Sequence, residues 1–391
     1  MHIIIDCTTT QNQMSHHGVG VYTENLVRNI IKHKDVKFSL LLFDGKSKID
    51  PILEEKRSNV EIVRIGKARK SDFLNYLWYL TQYLPNILKI KQKDSVYFCP
   101  YFWVGIPSLF IPTVLMIHDM ILPIYNIYSE KSIFHNLGKK ILYWIELSKA
   151  KFCKYIVVNS TQTKEDFIKY FPRYDKEKIK TIFLDGNLEG QDPNWNENLP
   201  KDYKEKGYFI YIGGTVYKNK NAKGVVDGYK DFLNRLSPNK NTPYMIIAGG
   251  GFIKDNLVTK NFKKYVKEEG LENKVIFTGF YEDEQVEQLL SHSIATINLS
   301  LYEGFGIALV NGMKVGTPVI AHNGSCYPEV LGGAGLIVDG LNRVEVGKAI
   351  FDVYTDKELR ERLIKKGLER GRDFSWEKTA NETVEVLENL V

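Results

Sequence analysis

The chain has 391 residues, a net charge of +6, 43% hydrophobic and 26% charged residues. That balance excludes a disordered or fibrous chain, and the length suits two domains at roughly 100–200 residues each. The four cysteines (Cys7, Cys99, Cys153, Cys326) stand far apart with no CxxC or histidine-flanked cluster, which excludes a zinc site or disulfide framework and fits reduced thiols in the cytoplasm.

The opening MHIIIDC is too short for a signal peptide, and His2–Asp6 reads as a buried strand. A glycine-rich loop follows, ending Gly18-Val19-Gly20, and Tyr22, Leu26 and Ile30 then share one side of a helix. The loop resembles half a dinucleotide fingerprint without its third glycine, so no nicotinamide cofactor is expected. Strand-like runs recur at Phe38–Phe43, Val60–Ile65, Ser95–Phe98, Thr113–Ile117 and Tyr155–Val158. Helical stretches between them predict a parallel sheet covered on both faces. His118-Asp119 closes one strand, where a histidine can hydrogen-bond a sugar or shuttle a proton. His16, His17 and His322 read as loop residues. No run reaches about 18 apolar residues, so no membrane span is expected.

Residues 1–190 hold 27 Lys and Arg against 19 Asp and Glu, a net of +8, which leaves −2 for the rest. The excess sits at Arg64–Lys93, interleaved with Phe73, Tyr76, Leu77, Trp78, Leu80 and Tyr83, and again at Lys131–Lys154. Basic, aromatic helices suit an anionic membrane surface or a phosphate-bearing acceptor. They equally suit a solvated helix face over a core stripe. No nucleic-acid-binding module accompanies the charge, so nucleic acid is not an expected partner.

Around Asp185–Tyr203 the chain turns polar, with Gly, Pro and Asn, and reads as an interdomain linker. A second alternation follows, with strands at Tyr208–Ile212, Tyr244–Ala248, Val275–Thr278, Ala295–Leu299, Pro318–Ala321 and Gly335–Val338. Helices at Asp283–Ser291 and Phe305–Val315 lie between strands, and an amphipathic helix at Ser375–Leu390 ends the chain, with Ser375 as N-cap. The fold class is therefore α/β, with two doubly wound sheets facing each other across a cleft and ligands gathered at the carboxyl ends of strands. The expected domains are 1–190, 191–373 and a terminal helix, 374–391.

Two loops carry the chemistry. Gly213-Gly214-Thr215 follows a strand, with Lys218, Lys220 and Asn221 just after. Backbone N–H groups plus a lysine make a phosphate cradle, although GxxxxGK[ST] is absent. Ser300–Pro318 reads SLYEGFGIALVNGMKVGTP: a strand end, an acid, two glycines and a helix start. The glycines let a ligand approach the backbone, and the helix N-terminus offers free N–H donors to a diphosphate or to sugar hydroxyls. Glu303 can accept hydrogen bonds from sugar hydroxyls. A tight turn with a capping acid is the plain alternative.

These segments resemble the family 4 retaining glycosyltransferases of the GT-B fold, nearly end to end. MHIIIDCTTT…GVGVYTENLV resembles the family's first strand and glycine loop, VLMIHDM its histidine strand, and VVNSTQTKEDF the close of its first domain. YIGGTVYKNKN lies at the diphosphate loop, FTGFYEDEQ in the middle strands, and FSWEKTA at the final helix that crosses back to the first domain. EGFGIALVNGMKVGTPVIAHNGSCYPEV is the most specific match.

The resemblance implies roles for residues of this chain. Glu303 would bind donor sugar hydroxyls, and the backbone of Gly304, Phe305, Gly306 and Ile307 the sugar and phosphate oxygens. His118 would touch the sugar from the opposite domain. Gly18 and Gly20 would approach the diphosphate or the acceptor. Gly214, Thr215, Lys218 and Lys220 would hold the leaving diphosphate, and Phe280 and Tyr281 would lie near the base. It implies no metal and no cofactor beyond the nucleotide-diphosphate sugar substrate. Two positions depart from the family pattern. Asn311 replaces the second glutamate of the signature, so a ribose hydroxyl would meet an amide instead of a charge. Asn219 replaces an arginine, and the neighbouring lysines supply charge without the bidentate fork.

The implied activity is retaining transfer of a sugar to a glycan or lipid-diphosphate-linked acceptor in bacterial surface polysaccharide assembly (O-antigen or capsule). The expected location is the cytoplasm, peripheral to the inner face of the membrane. The alternatives are a GT-B epimerase, a phosphorylase, or a catalytically silent nucleotide-sugar-binding partner of a membrane glycan complex.

Overall fold

In the computed structural model, apolar runs become the strands of two parallel sheets. The structure describes residues 1–11, 15, 18–54, 57–67, 79–101, 107–125, 141, 143–188, 190–214, 216–237 and 241–390. The chain divides into two units, one of residues 1–184 with 375–391 and one of residues 185–374.

In the first unit the strands are β1 (His2–Asp6), β2 (Lys37–Leu42), β3 (Val60–Arg64), β4 (Ser95–Cys99), β5 (Thr113–Ile117), β6 (Tyr155–Val158) and β7 (Ile179–Thr181). They stand in the order β3-β2-β1-β4-β5-β6-β7. Ile3 pairs with Phe38 on one side and Val96 on the other. Order therefore reverses between β1 and β4, the switch point at which ligands of such sheets bind. β7 escapes the sequence pattern because it has three residues and only Ile179 is buried. Helix α1 (Gly18–Ile30) includes both glycines read as a loop, so Gly18 and Gly20 lie in its first turn.

The second unit holds β8 (Tyr208–Ile212), β9 (Tyr244–Ala248), β10 (Val275–Gly279), β11 (Thr296–Asn298), β12 (Val319–His322) and β13 (Leu336–Val338), in the order β10-β9-β8-β11-β12-β13. Its switch point lies between β8 and β11. The run YFIYI is apolar throughout because both faces of β8 are covered. Phe209 and Tyr211 join the core with Val225, Ile247 and Ile297. Tyr208 and Ile210 point the opposite way, as the two-residue period of a strand requires, into a cluster with Ile246 and Leu289.

The polar stretch 185–203 is not free chain. Trp195, Leu199 and Tyr203 are buried in that second cluster, and the backbone N–H of Asn187 donates to Asn311 Oδ1 at 2.6 Å. Lys314 forms an ion pair with Asp185. The last helix, α2 (Trp376–Glu388), belongs to the first unit. Ser375 caps it by accepting from the Lys378 N–H, Thr379 donates to the Phe183 carbonyl at 2.7 Å, and Trp376 packs 6.1 Å from Tyr22 of α1. Among the described residues no helix is long and apolar enough to cross a membrane.

Candidate active site

In the second unit, β8 leads into Gly213-Gly214 and β11 runs out toward Glu303. A Cβ on Gly249, at φ +148°, would overlap the Gly213 carbonyl oxygen. Backbone therefore packs directly on backbone there, and only glycine allows it. The Gly251 N–H donates to the Gly214 carbonyl at 3.0 Å, so the turn after β9 braces the loop after β8. Gly214 and Lys218 are exposed, while Thr215 lies outside the described residues.

A short turn at Lys218–Lys220 carries Lys220 to Glu303, and the two form an ion pair across 83 positions of sequence. The turn is tied to the same loop by the Leu301 N–H, which donates to the Asn219 carbonyl at 2.7 Å. The Tyr211 hydroxyl donates to the Lys220 carbonyl at 3.2 Å. Asn221, left-handed at φ +48°, caps the following helix, its side chain accepting from the Gly224 N–H. Asn219 itself is 1% exposed, and neither end of its amide has a partner among the described residues.

Glu303 lies outside regular structure, so its backbone needs partners from elsewhere. Ser325 supplies them: its hydroxyl donates to the Glu303 carbonyl at 2.6 Å and accepts from the Glu303 N–H at 3.0 Å. Gly306, at φ +90°, starts helix α3 (Ile307–Lys314), and its free N–H groups begin there. Gly304 and the Phe305 side chain are buried, the latter against Phe374 at 5.8 Å. Ligand contact at Phe305 would therefore be made by backbone.

Further round the edge, Phe280 is 48% exposed beside the Gly249–Gly251 turn. Tyr281, its neighbour in sequence, turns inward and is buried with Trp195 and Tyr208. The placement of Tyr281 reflects the alternation of side chains along extended chain. Asn311 lies on α3, buried, with its oxygen committed to Asn187. His322, read as a loop residue, ends β12, and its Nδ1 accepts from the Gly340 N–H at 3.0 Å.

In the first unit the switch-point edge is formed by Asp6, Pro100 and His118. His118 Nε2 donates to the Pro100 carbonyl at 2.8 Å, which leaves Nδ1 as the acceptor. Burial pushes its pKa down to about 4, against a smaller upward pull from that carbonyl. The ring is thus neutral at pH 7 and fitted to accept from a hydroxyl. Tyr22 of α1 meets it edge-on at 4.9 Å, so the helix that begins at Gly18 and Gly20 also fixes the histidine. Asp6 is buried, its Oδ1 accepting from the Thr8 N–H and hydroxyl at 2.9 and 2.7 Å. Burial raises its carboxyl above the usual range.

Among the described residues, no three His, Cys, Asp or Glu side chains group as metal ligands. Of the basic, aromatic segments, Phe73, Tyr76, Leu77, Trp78 and residues 131–140 lie outside the described residues. Tyr83 and Ile87 are buried, as a core stripe. Leu109, Phe110 and Phe152 are exposed beside Lys91 and Lys151.

Comparison with known proteins places these two parallel doubly wound sheets in a family. Residues 194–370 match the family described as Glycosyl transferases group 1, and residues 16–183 match Glycosyltransferase Family 4. The chain is 26% identical over 385 residues to O-antigen chain mannosyltransferase B of Escherichia coli, covering 94% of each. It is 25% identical over 386 residues to an uncharacterised glycosyltransferase of Methanocaldococcus jannaschii, covering 95% of each. Anabaena Alr3699/HepE, solved in complex with UDP-glucose, shares the fold with a TM-score of 0.72 at 17% identity, over 100% of both chains. The chain belongs to the family 4 type of GT-B glycosyltransferases, and it is a glycosyltransferase.

Proposed function

We propose that this chain transfers a hexose, with mannose the first candidate, from a nucleotide-diphosphate sugar to a growing surface glycan or its lipid-diphosphate-linked precursor, with retention at the anomeric carbon. The observation that carries the reading is the Lys220–Glu303 ion pair beside the start of α3. A lysine ammonium has three donors. One can stay on Glu303 while the others meet a diphosphate oxygen, and Glu303 can still accept from a sugar hydroxyl. The mannose assignment draws on the O-antigen relative, and the nucleotide-sugar donor on the HepE complex.

In the proposed step the bond from the anomeric carbon to the diphosphate oxygen breaks, and its electron pair leaves with the diphosphate. The acceptor oxygen bonds the same face of that carbon. Its proton passes to the departing phosphate oxygen. Lys220, the exposed Lys218 and the N–H groups at the start of α3 stabilise the charge that develops, without a metal ion. Preorganised donors of this kind supply the largest share of such catalysis. Neutral His118 would hold a sugar hydroxyl.

Thermal unfolding with UDP, GDP, dTDP, ADP and CMP, each with and without EDTA, tests the reading. A bound nucleotide stabilises by mass action. One base giving a clear shift that EDTA leaves unchanged is the expected result. No shift with any of them would favour the second reading, a catalytically silent binding partner of a membrane glycan complex. The uncharged, unpartnered Asn219 in the arginine position is the observation behind that reading.

The exposed apolar side chains beside Lys91 and Lys151 support attachment to an anionic membrane face. Changing Lys67, Arg69 and Lys70 together to glutamate is expected to lower binding to vesicles rich in anionic lipid; unchanged binding would remove the idea.

A further inference from the structure

Ser325 does more than close a turn. Among the described residues it is one of two non-glycine residues with a left-handed backbone, at φ +57°. A Cβ makes that conformation unfavourable, and such strain persists where surrounding structure needs it. What is gained is visible in its hydroxyl, which binds both the N–H and the carbonyl of Glu303. One side chain thus completes the backbone hydrogen bonding of the residue that meets Lys220.

The next residues act on the other end of the same loop. Cys326 and Tyr327 are buried, and Pro328 opens the short helix Tyr327–Leu331. The Tyr327 ring fills the space a Cβ on Gly306 would take, 2.8 Å from it. Residues 325–327 therefore hold the loop 303–306 at both ends, and Ser325 holds the end that bears the carboxylate.

We propose that Ser325 is a positioning residue for the transfer reaction: its strained backbone places a hydroxyl that fixes the Glu303 peptide, and so aims the Glu303 carboxylate at Lys220 and the donor sugar. This rests on the reading of residues 303–306 as the donor loop. Strain and hydroxyl make separable predictions. Ser325→Ala removes the hydroxyl and keeps the strain. Ser325→Gly removes both. Ser325→Thr keeps the hydroxyl and adds strain, because a β-branched residue fits the left-handed region worst.

The full-length variants are compared by hydrolysis of GDP-mannose and of UDP-glucose, by thermal unfolding, and by hydrogen exchange at the Glu303 amide. Ser325→Ala and Ser325→Gly are expected to lower kcat about 10- to 100-fold, with KM for the donor held within about threefold. Both should speed exchange at Glu303. Ser325→Gly should unfold at a higher temperature than Ser325→Ala despite equal loss of kcat. Ser325→Thr should recover most of kcat while unfolding at a lower temperature than wild type. Activity and stability moving in opposite directions is the signature of positioning, and their falling together across all three variants overturns it.

Glu303→Ala separates the two claims. If Glu303→Ala keeps wild-type turnover, the donor-loop reading falls, whatever Ser325 does. If Glu303→Ala is inactive while Ser325→Ala and Ser325→Gly match wild type in kcat and exchange, the positioning role alone falls. Should wild type turn over neither donor, the exchange rates decide: unchanged protection of Glu303 in Ser325→Ala overturns the proposal.

Discussion

The switch-point edges of the two sheets are built on opposite electrostatic plans. In the second unit, Lys220 and Glu303 form a partly exposed ion pair; the Asn219 carbonyl beside Lys220 accepts from the Leu301 N–H, and the Ser325 hydroxyl bonds the Glu303 backbone. In the first unit the ionisable groups are pushed toward neutrality. His118 has its pKa lowered to about 4 by burial, and Asp6 has its carboxyl raised for the same reason. An edge that keeps its charges suits an anionic ligand, because fixed cations and N–H groups can receive a diphosphate. An edge that suppresses them suits hydroxyl groups, which a neutral imidazole can accept from without stripping water from an ion.

The sharpest test of this division is to remove the charged pair. Glu303→Ala is expected to lower kcat/KM by about 10²–10⁴-fold, since it takes away the acceptor for donor hydroxyls and leaves Lys220 unpaired. Lys220→Ala should lose about 10–100-fold, mostly in KM for the donor, and should weaken stabilisation by the nucleoside diphosphate. Steady-state kinetics and nucleotide-dependent unfolding check both. Equal losses from a charge change at His118 would break the contrast between the two edges.

At the neutral edge the expected effect is smaller and carries a pH signature. His118→Asn should cost about 10–100-fold in kcat, the range set by losing one hydrogen bond at about 1–3 kcal/mol. The folded pKa of His118 is about 4 against 6.5 for the free side chain. The unfolded chain therefore binds more protons between those values, and stability rises with pH across that window. On the order of 1–3 kcal/mol of stability held at pH 7 is lost as pH falls from about 6.5 toward 4. Denaturant unfolding of wild type and His118→Asn at pH 7 and pH 4.5 should show the shallower dependence in the variant. Parallel pH profiles would mean that His118 is not held neutral by the fold.

Much of this contrast is legible in the sequence, for a physical reason. Parallel strands buried on both faces must be apolar throughout, so runs such as HIIID, TVLMI and YFIYI announce themselves. Glycine and charge at strand ends mark the two edges in the same way. What stays hidden depends on partners far away in sequence. Ile179-Lys180-Thr181 is a strand only because β6 lies beside it. The stretch 185–203 looks like a linker because its buried Trp195, Leu199 and Tyr203 follow no helical or strand period. Gly18 and Gly20 suggest a loop, yet they open a helix that packs against α2. Ser325 gives no signal at all, since serine is not a residue that announces a left-handed backbone.

The smallest expected effect concerns Asn311, where charge is missing from the charged unit. In the family pattern its position belongs to the ribose, but here its Oδ1 accepts from the buried Asn187 N–H. A Cβ on Gly186 would come within 2.4 Å of that same oxygen, so the segment entering the second unit is packed tightly on α3. Asn311→Ala leaves the Asn187 N–H buried without an acceptor, at a cost of about 1–3 kcal/mol. The unfolding temperature should fall by several degrees, with nucleoside diphosphate affinity changed less than about threefold. Asn311→Asp retains an acceptor oxygen and should stay near wild-type stability. If Asn311→Ala instead unfolds with wild type and binds nucleotide more than about tenfold more weakly, the amide serves the ribose, and the second unit reads its ligand through a neutral group as the first unit does.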